Sequence, residues 1–93
     1  MAVQVRVPPL LREAVGGARL LEGSGDTVDA VLQDIDRRHP GFRERLIDEH
    51  GALRRFVNVY VNDEDIRYLN KLATPVRDGD TVSILPSVAG GGG

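Results

Sequence analysis

Phe56-Val57-Asn58-Val59-Tyr60-Val61-Asn62 is the stretch on which the fold turns. Val57, Val59 and Val61 fall on one side, and Phe56, Asn58, Tyr60 and Asn62 on the other. This two-residue period with β-branched residues on one face marks a half-buried strand. Outward on the C-terminal side, Asn62-Asp63-Glu64-Asp65 reads as a polar turn, residues 66–68 as a short strand and residues 70–76 as a loop. Asp78-Gly79-Asp80 has the residue types of a turn. Residues 81–85 then form a last strand with Val82 and Ile84 facing the core.

On the N-terminal side, residues 42–47 read as a short helical turn broken at His50-Gly51. Before it, Val28, Val31, Leu32 and Ile35 follow the i, i+3, i+4, i+7 spacing of one buried helical stripe. Asp26 or Thr27 caps that helix, Asp29 suits its first turn, and His39-Pro40-Gly41 stops it. Residues 18–22 make a second strand. Residues 10–15 form a connector of about one helical turn, followed by the Gly16-Gly17 turn. Residues 2–7 alternate Val3, Val5 and Val7 with Gln4 and Arg6 as a first strand. One amphipathic helix suffices to cover one face of a mixed sheet. The reading is therefore an α+β roll of four to five strands with one main helix, first and last strands adjacent.

Composition narrows the function. The chain has 93 residues, a formal net charge of -2 and no Cys. That length makes one domain, here residues 1–86, with 87–93 as a tail. The mildly acidic balance, with Lys71 the sole lysine, argues against a nucleic-acid binder. No run approaches the ~18–20 apolar residues of a membrane span. The lack of thiols removes disulfides, thiolate metal sites and a cysteine nucleophile, and points to the cytoplasm. If the protein handles sulfur, the sulfur sits elsewhere than on a Cys side chain.

Other motifs carry little chemistry. Gly23-Ser24-Gly25 before a helix lacks the spacing and Lys of a phosphate loop and reads as a flexible entry. Asp63-Glu64-Asp65, Asp78 and Asp80 lack the ligand pattern of a calcium loop. His39 and His50 have no partner at a metal-site spacing, so no metal is expected. Phe56, Tyr60 and Leu85 should lie on the sheet face away from the helix, a candidate docking surface for a partner.

Ser87-Val88-Ala89-Gly90-Gly91-Gly92-Gly93 closes the chain. Four consecutive glycines lose more backbone freedom on ordering than any other residues and bury no side chain. Pro86 ends the preceding apolar run. The expectation is a flexible arm that reaches roughly 23–25 Å when extended, ending in an unhindered carboxylate suited to another protein's active site.

Residues 55–65 (Arg55-Phe56-Val57-Asn58-Val59-Tyr60-Val61-Asn62-Asp63-Glu64-Asp65) resemble the MoaD/ThiS family of ubiquitin-like sulfur carriers. So do residues 78–91, where Asp78-Gly79-Asp80 leads through Ile84-Leu85-Pro86-Ser87-Val88-Ala89 to Gly90-Gly91. Gly25-Asp26-Thr27-Val28 and the opening strand with residues 8–12 fit the same pattern. The Asn-Asp-Glu-Asp turn and the ending are most similar to the branch that serves actinobacterial cysteine formation.

The resemblance implies a β-grasp fold and a carrier that is no enzyme and binds no cofactor itself. An E1-like enzyme using ATP and Mg²⁺ would adenylate the C-terminal carboxylate, and sulfide would displace AMP to leave a thiocarboxylate. A PLP-dependent cysteine synthase would take up the sulfur, and a JAMM-type metalloprotease would release cysteine. The thiocarboxylate belongs on Gly93 if the tail is used as written, or on Gly91 if it is trimmed. Val88, Ala89, Gly90 and Gly92 would thread the partner's channel. Other readings are the small subunit of molybdopterin synthase, a sulfur donor for another thio-metabolite, a ubiquitin-like protein modifier, or a β-grasp binding module.

Overall fold

The computed structural model describes residues 2–86; the tail expected at 87–93 lies outside the described residues. The elements are β1 (Ala2–Arg6), β2 (Leu20–Ser24), α1 (Val28–Arg38), β3 (Val57–Val61), β4 (Glu64–Asp65) and β5 (Thr81–Pro86). Four short 3₁₀ turns join them, at Pro9–Val15, Arg43–Arg45, Ile66–Tyr68 and Lys71–Ala73. The sheet order is β2-β1-β5-β3-β4. β1 and β5 pair in parallel, while β1–β2, β3–β5 and β3–β4 are antiparallel. The strand that leads into the tail is thus the middle strand of five.

Alternation places Val3 and Val5 of β1, Val57, Val59 and Val61 of β3, and Val82 and Ile84 of β5 in the core. The stripe Val28, Val31, Leu32 and Ile35 of α1 is fully buried in the same cluster. Removing the Leu32 or Ile35 side chain to Ala costs about 2–5 kcal/mol, because a cavity adds to the lost transfer energy. Thr27, not Asp26, caps α1, its Oγ1 accepting the Ala30 N–H at 3.1 Å. At the other end Asp36 Oδ1 accepts the Gly41 and Arg43 N–H groups, each at 3.1 Å, and fixes the chain's exit.

Three local expectations change. First, β2 runs two residues later than expected, because the Val7 N–H donates to Arg19 O at 2.9 Å and sets the register from there. Second, residues 66–68 form a 3₁₀ turn, not a strand. Asn62 (φ 48) and Asp63 (φ 77) make a two-residue hairpin turn of the kind that positive φ allows. Only Glu64 and Asp65 then pair with β3, and Asp65 Oδ1 accepts the Arg67 N–H at 2.9 Å to start the 3₁₀ turn. Ile66 is thereby turned into the core.

Third, the glycines of 23–25 serve packing rather than looseness. A Cβ on Gly23 would stand 2.7 Å from Val31 Cγ1, and one on Gly25 would stand 2.8 Å from the Val31 backbone nitrogen. β2 lies against α1 at a distance only glycine permits. The Ser24 N–H donates to Asp34 Oδ2 at 2.9 Å and pins the crossing.

Candidate functional site at the end of the central strand

β5 begins at the turn Asp78-Gly79-Asp80, where Gly79 has φ 89, a value glycine tolerates best. The Ala2 N–H donates to Asp78 Oδ1, and the Gly79 N–H to Ala2 O, both at 3.0 Å. Asn62 Nδ2 donates to Asp80 Oδ1 and Asn62 Oδ1 accepts the Thr81 N–H, again at 3.0 Å. The Arg77 N–H donates to Asp80 Oδ2 at 2.8 Å. The Asn62 amide, then the Arg77 N–H, hold the Asp80 carboxyl below its ordinary value. One turn therefore ties the starts of β1 and β5 to the end of β3.

The other end of β5 differs. Leu85 is 47% exposed and Phe56 is 50% exposed. Together with Pro8, Leu10 and Pro86 they rim a shallow apolar depression where the sheet ends. Leu10, on the Pro9–Val15 turn, is 64% exposed. A large aliphatic side chain left that open beside others is a surface suited to a partner.

Tyr60 and Leu85 share a second groove of about 540 Å³ with Ser83, on the open face of the sheet. Register explains it: Tyr60 stands opposite Ser83 on the antiparallel side of β5, and Arg6 opposite Ser83 on the parallel side.

Leu85 is thus common to both recesses, Tyr60 lines the open face, and Phe56 stands just before β3 at the sheet's end. A separate recess shares Phe56 and Leu10 with that depression and is lined also by Pro40 and Gly41, after α1. Sequence reading missed Pro8 and Leu10, because only the parallel pairing of β1 with β5 brings the Pro9–Val15 turn beside Phe56. Gly91 and Gly93, and with them Val88, Ala89, Gly90 and Gly92, lie outside the described residues. His39 closes α1, its N–H donating to Ile35 O at 2.9 Å. The His50 N–H donates to Asp48 Oδ1 at 2.8 Å. Among the described residues, no three His, Asp or Glu side chains group as a metal site, and no helix is long and apolar enough to cross a membrane.

Comparison with known proteins fits this geometry. Residues 5–91 match the ThiS family. The chain is 50% identical to the sulfur carrier protein CysO of Mycobacterium tuberculosis over 93 residues, covering 98% of this chain and all of that protein. The crystal structure of that CysO superposes with a TM-score of 0.89 at 49% identity, covering 92% of this chain and 99% of the other. CysO of Amycolatopsis orientalis, solved in a complex with BexX, gives a TM-score of 0.89 at 47% identity, covering 94% and 97%. Small archaeal modifier protein 3 of Haloferax volcanii is 36% identical over 93 residues, covering 98% of this chain and all of the relative. The five-stranded mixed sheet with its single long helix is the ubiquitin-like β-grasp shared by these structures. The chain belongs to the ThiS family, as a small protein of the sulfur-carrier type and not a catalyst.

Proposed function

We propose that this protein carries sulfur as a C-terminal thiocarboxylate, in the cytoplasm, for the formation of cysteine. The observation that carries the reading is the half-identity to CysO along the whole chain, joined to a central strand that runs straight into the sequence Ser87-Val88-Ala89-Gly90-Gly91. A carboxylate is a poor acyl donor. An E1-like enzyme with ATP and Mg²⁺ would convert it to an acyl adenylate with loss of pyrophosphate. Sulfide then displaces AMP and leaves sulfur on the terminal glycine. Glycine keeps the acyl carbon unhindered and lets the backbone enter a narrow channel.

Ordering the tail costs about 1–2 kcal/mol per residue, which suits brief visits rather than a lasting complex. The receiving partners are a PLP-dependent cysteine synthase and then a JAMM-type metalloprotease. Leu85, Phe56 and Tyr60 supply the docking surface beside the tail. The family match ends at Gly91, so the reactive residue is Gly91 after trimming or Gly93 without it.

The test is intact-protein mass spectrometry after incubation with ATP, Mg²⁺, sulfide and an E1-like enzyme active on a known carrier. Replacement of one oxygen by sulfur, mapped to the last peptide, is expected. The same chain without residues 90–93 should show no replacement and melt like the parent. An unchanged mass for the full chain refutes the reading. The relation to the archaeal modifier protein favours a second reading, a protein modifier, for which a ladder of conjugates on a denaturing gel is the expected sign.

A further inference from the structure

Three arginines gather on one side of the groove that Tyr60 and Leu85 share. Arg6 on β1, Arg12 on the Pro9–Val15 turn and Arg19 before β2 all line it. Arg6 and Arg19 are exposed, and Arg12 keeps its Nε on Val7 O at 3.2 Å. Elsewhere the described arginines often find acids: Arg38 with Asp34 at 3.3 Å, Arg43 with Asp29 at 2.9 Å, Arg67 with Asp65 at 4.0 Å. None of the three groove arginines has a carboxylate within ion-pair distance among the described residues, although Asp63 lines the same groove. On a protein of net charge -2, this leaves a local cationic surface whose fork-shaped donors, Arg12 Nε apart, pair with no carboxylate among the described residues.

The groove continues into Leu85 and Pro86, the last described residues before the tail. Pro86 borders both this groove and the depression beside Phe56, so a protein that takes the tail meets this wall on one side. Arginine beside Tyr and aliphatic side chains is the composition of a protein interface core. The 3₁₀ turn that borders the groove begins at Pro8-Pro9, which have no N–H to offer a phosphate, and the Leu11 N–H is already donated to Pro8 O at 3.0 Å.

We propose that Arg6, Arg12 and Arg19 form a docking site for aspartate or glutamate side chains of the enzyme that adenylates the tail. This deepens the sulfur-carrier reading and rests on it. The cationic wall steers the enzyme's acidic surface to the root of the tail, so the carboxyl end arrives already aligned.

The test uses the full chain and an E1-like enzyme already shown to convert it. Arg6→Glu/Arg19→Glu, and separately Arg6→Gln/Arg19→Gln, leave the backbone pairing of β1 with β2 intact and should melt like the parent. Expected is a rise of about tenfold in KM for the reversal pair, less for the neutral pair, with kcat within about twofold. The parent's KM should climb between about 0.05 and 0.3 M salt, and the reversal pair should lose that dependence. Unchanged KM and salt dependence, with the parent converted, overturn the groove alone. If no enzyme converts the parent, the carrier reading fails and the groove's role falls with it. Saturable binding of inorganic phosphate to the free chain, lost in the reversal pair, overturns the carboxylate assignment.

Discussion

The two ends of β5 are built on opposite plans. At the start, Asp78, Asp80 and Asn62 use side chains and backbone to lace three strands together within 3.0 Å contacts. At the finish, Leu85 is half exposed, Phe56 and Leu10 stand open beside it, and arginines line the adjoining groove. The first end spends its polar groups on the molecule itself. The second keeps apolar area and charge for something else. A strand fixed firmly at one end can present the other end in a constant direction, which the proposed carrier role requires.

The sharpest way to break this contrast is to loosen the strand between its two ends. Ile84 is 1% exposed and faces the core. Ile84→Ala should cost about 2–5 kcal/mol of unfolding free energy in urea titration, and sulfur loading should fall only as far as the folded fraction does. A loading defect at full folding would show that the strand's middle also contacts partners.

A smaller effect is expected at the laced end. Asp80→Ala removes the acceptor for Asn62 and Arg77 and should cost about 1 kcal/mol. The folded chain holds the Asp80 carboxyl below its ordinary value, so the folded form takes up that proton less readily than the unfolded form. The stabilisation is complete above the unfolded carboxylate range and is lost as pH falls below about 4 through the lowered folded value. Asp80→Ala should therefore flatten the acid side of a melting-temperature profile. Asp48, held low first by the Ala52 N–H, leaves part of that slope in place.

The smallest change in stability belongs to the open end. Leu85→Ser with Phe56→Ser should move stability by no more than about 0.5 kcal/mol at each site, while sulfur loading slows. Loading at the parent's rate would remove the docking role from this apolar surface and leave the tail and the arginine groove to carry recognition.

Local periodicity made most of the frame legible. The valines at 57, 59 and 61 and the stripe from Val28 to Ile35 declare their buried faces without help from the rest of the chain. The β4 region was not legible, because a strand ending after two residues depends on Asp65 turning its side chain back to the Arg67 N–H. Gly23 and Gly25 looked like loop residues, since the demand for glycine comes from Val31 and Ala30 of α1, which only the folded chain brings close. Likewise Arg6, Arg12 and Arg19 are unremarkable one by one. Their convergence needs the parallel β1–β5 pair and the 3₁₀ turn after β1.

That parallel pair has a practical side. Ala2 opens β1 beside the Gly79 turn, and Pro86 closes β5 at the opposite end of the central strand. By the parallel register, Ala2 and the point of departure for residue 87 therefore stand roughly 20–25 Å apart, at a rise of about 3.3 Å per residue. A fluorophore or an immobilising tag fused ahead of Ala2 would sit at the opposite pole from Pro86, and the protein could be anchored to a bead with Pro86 turned outward.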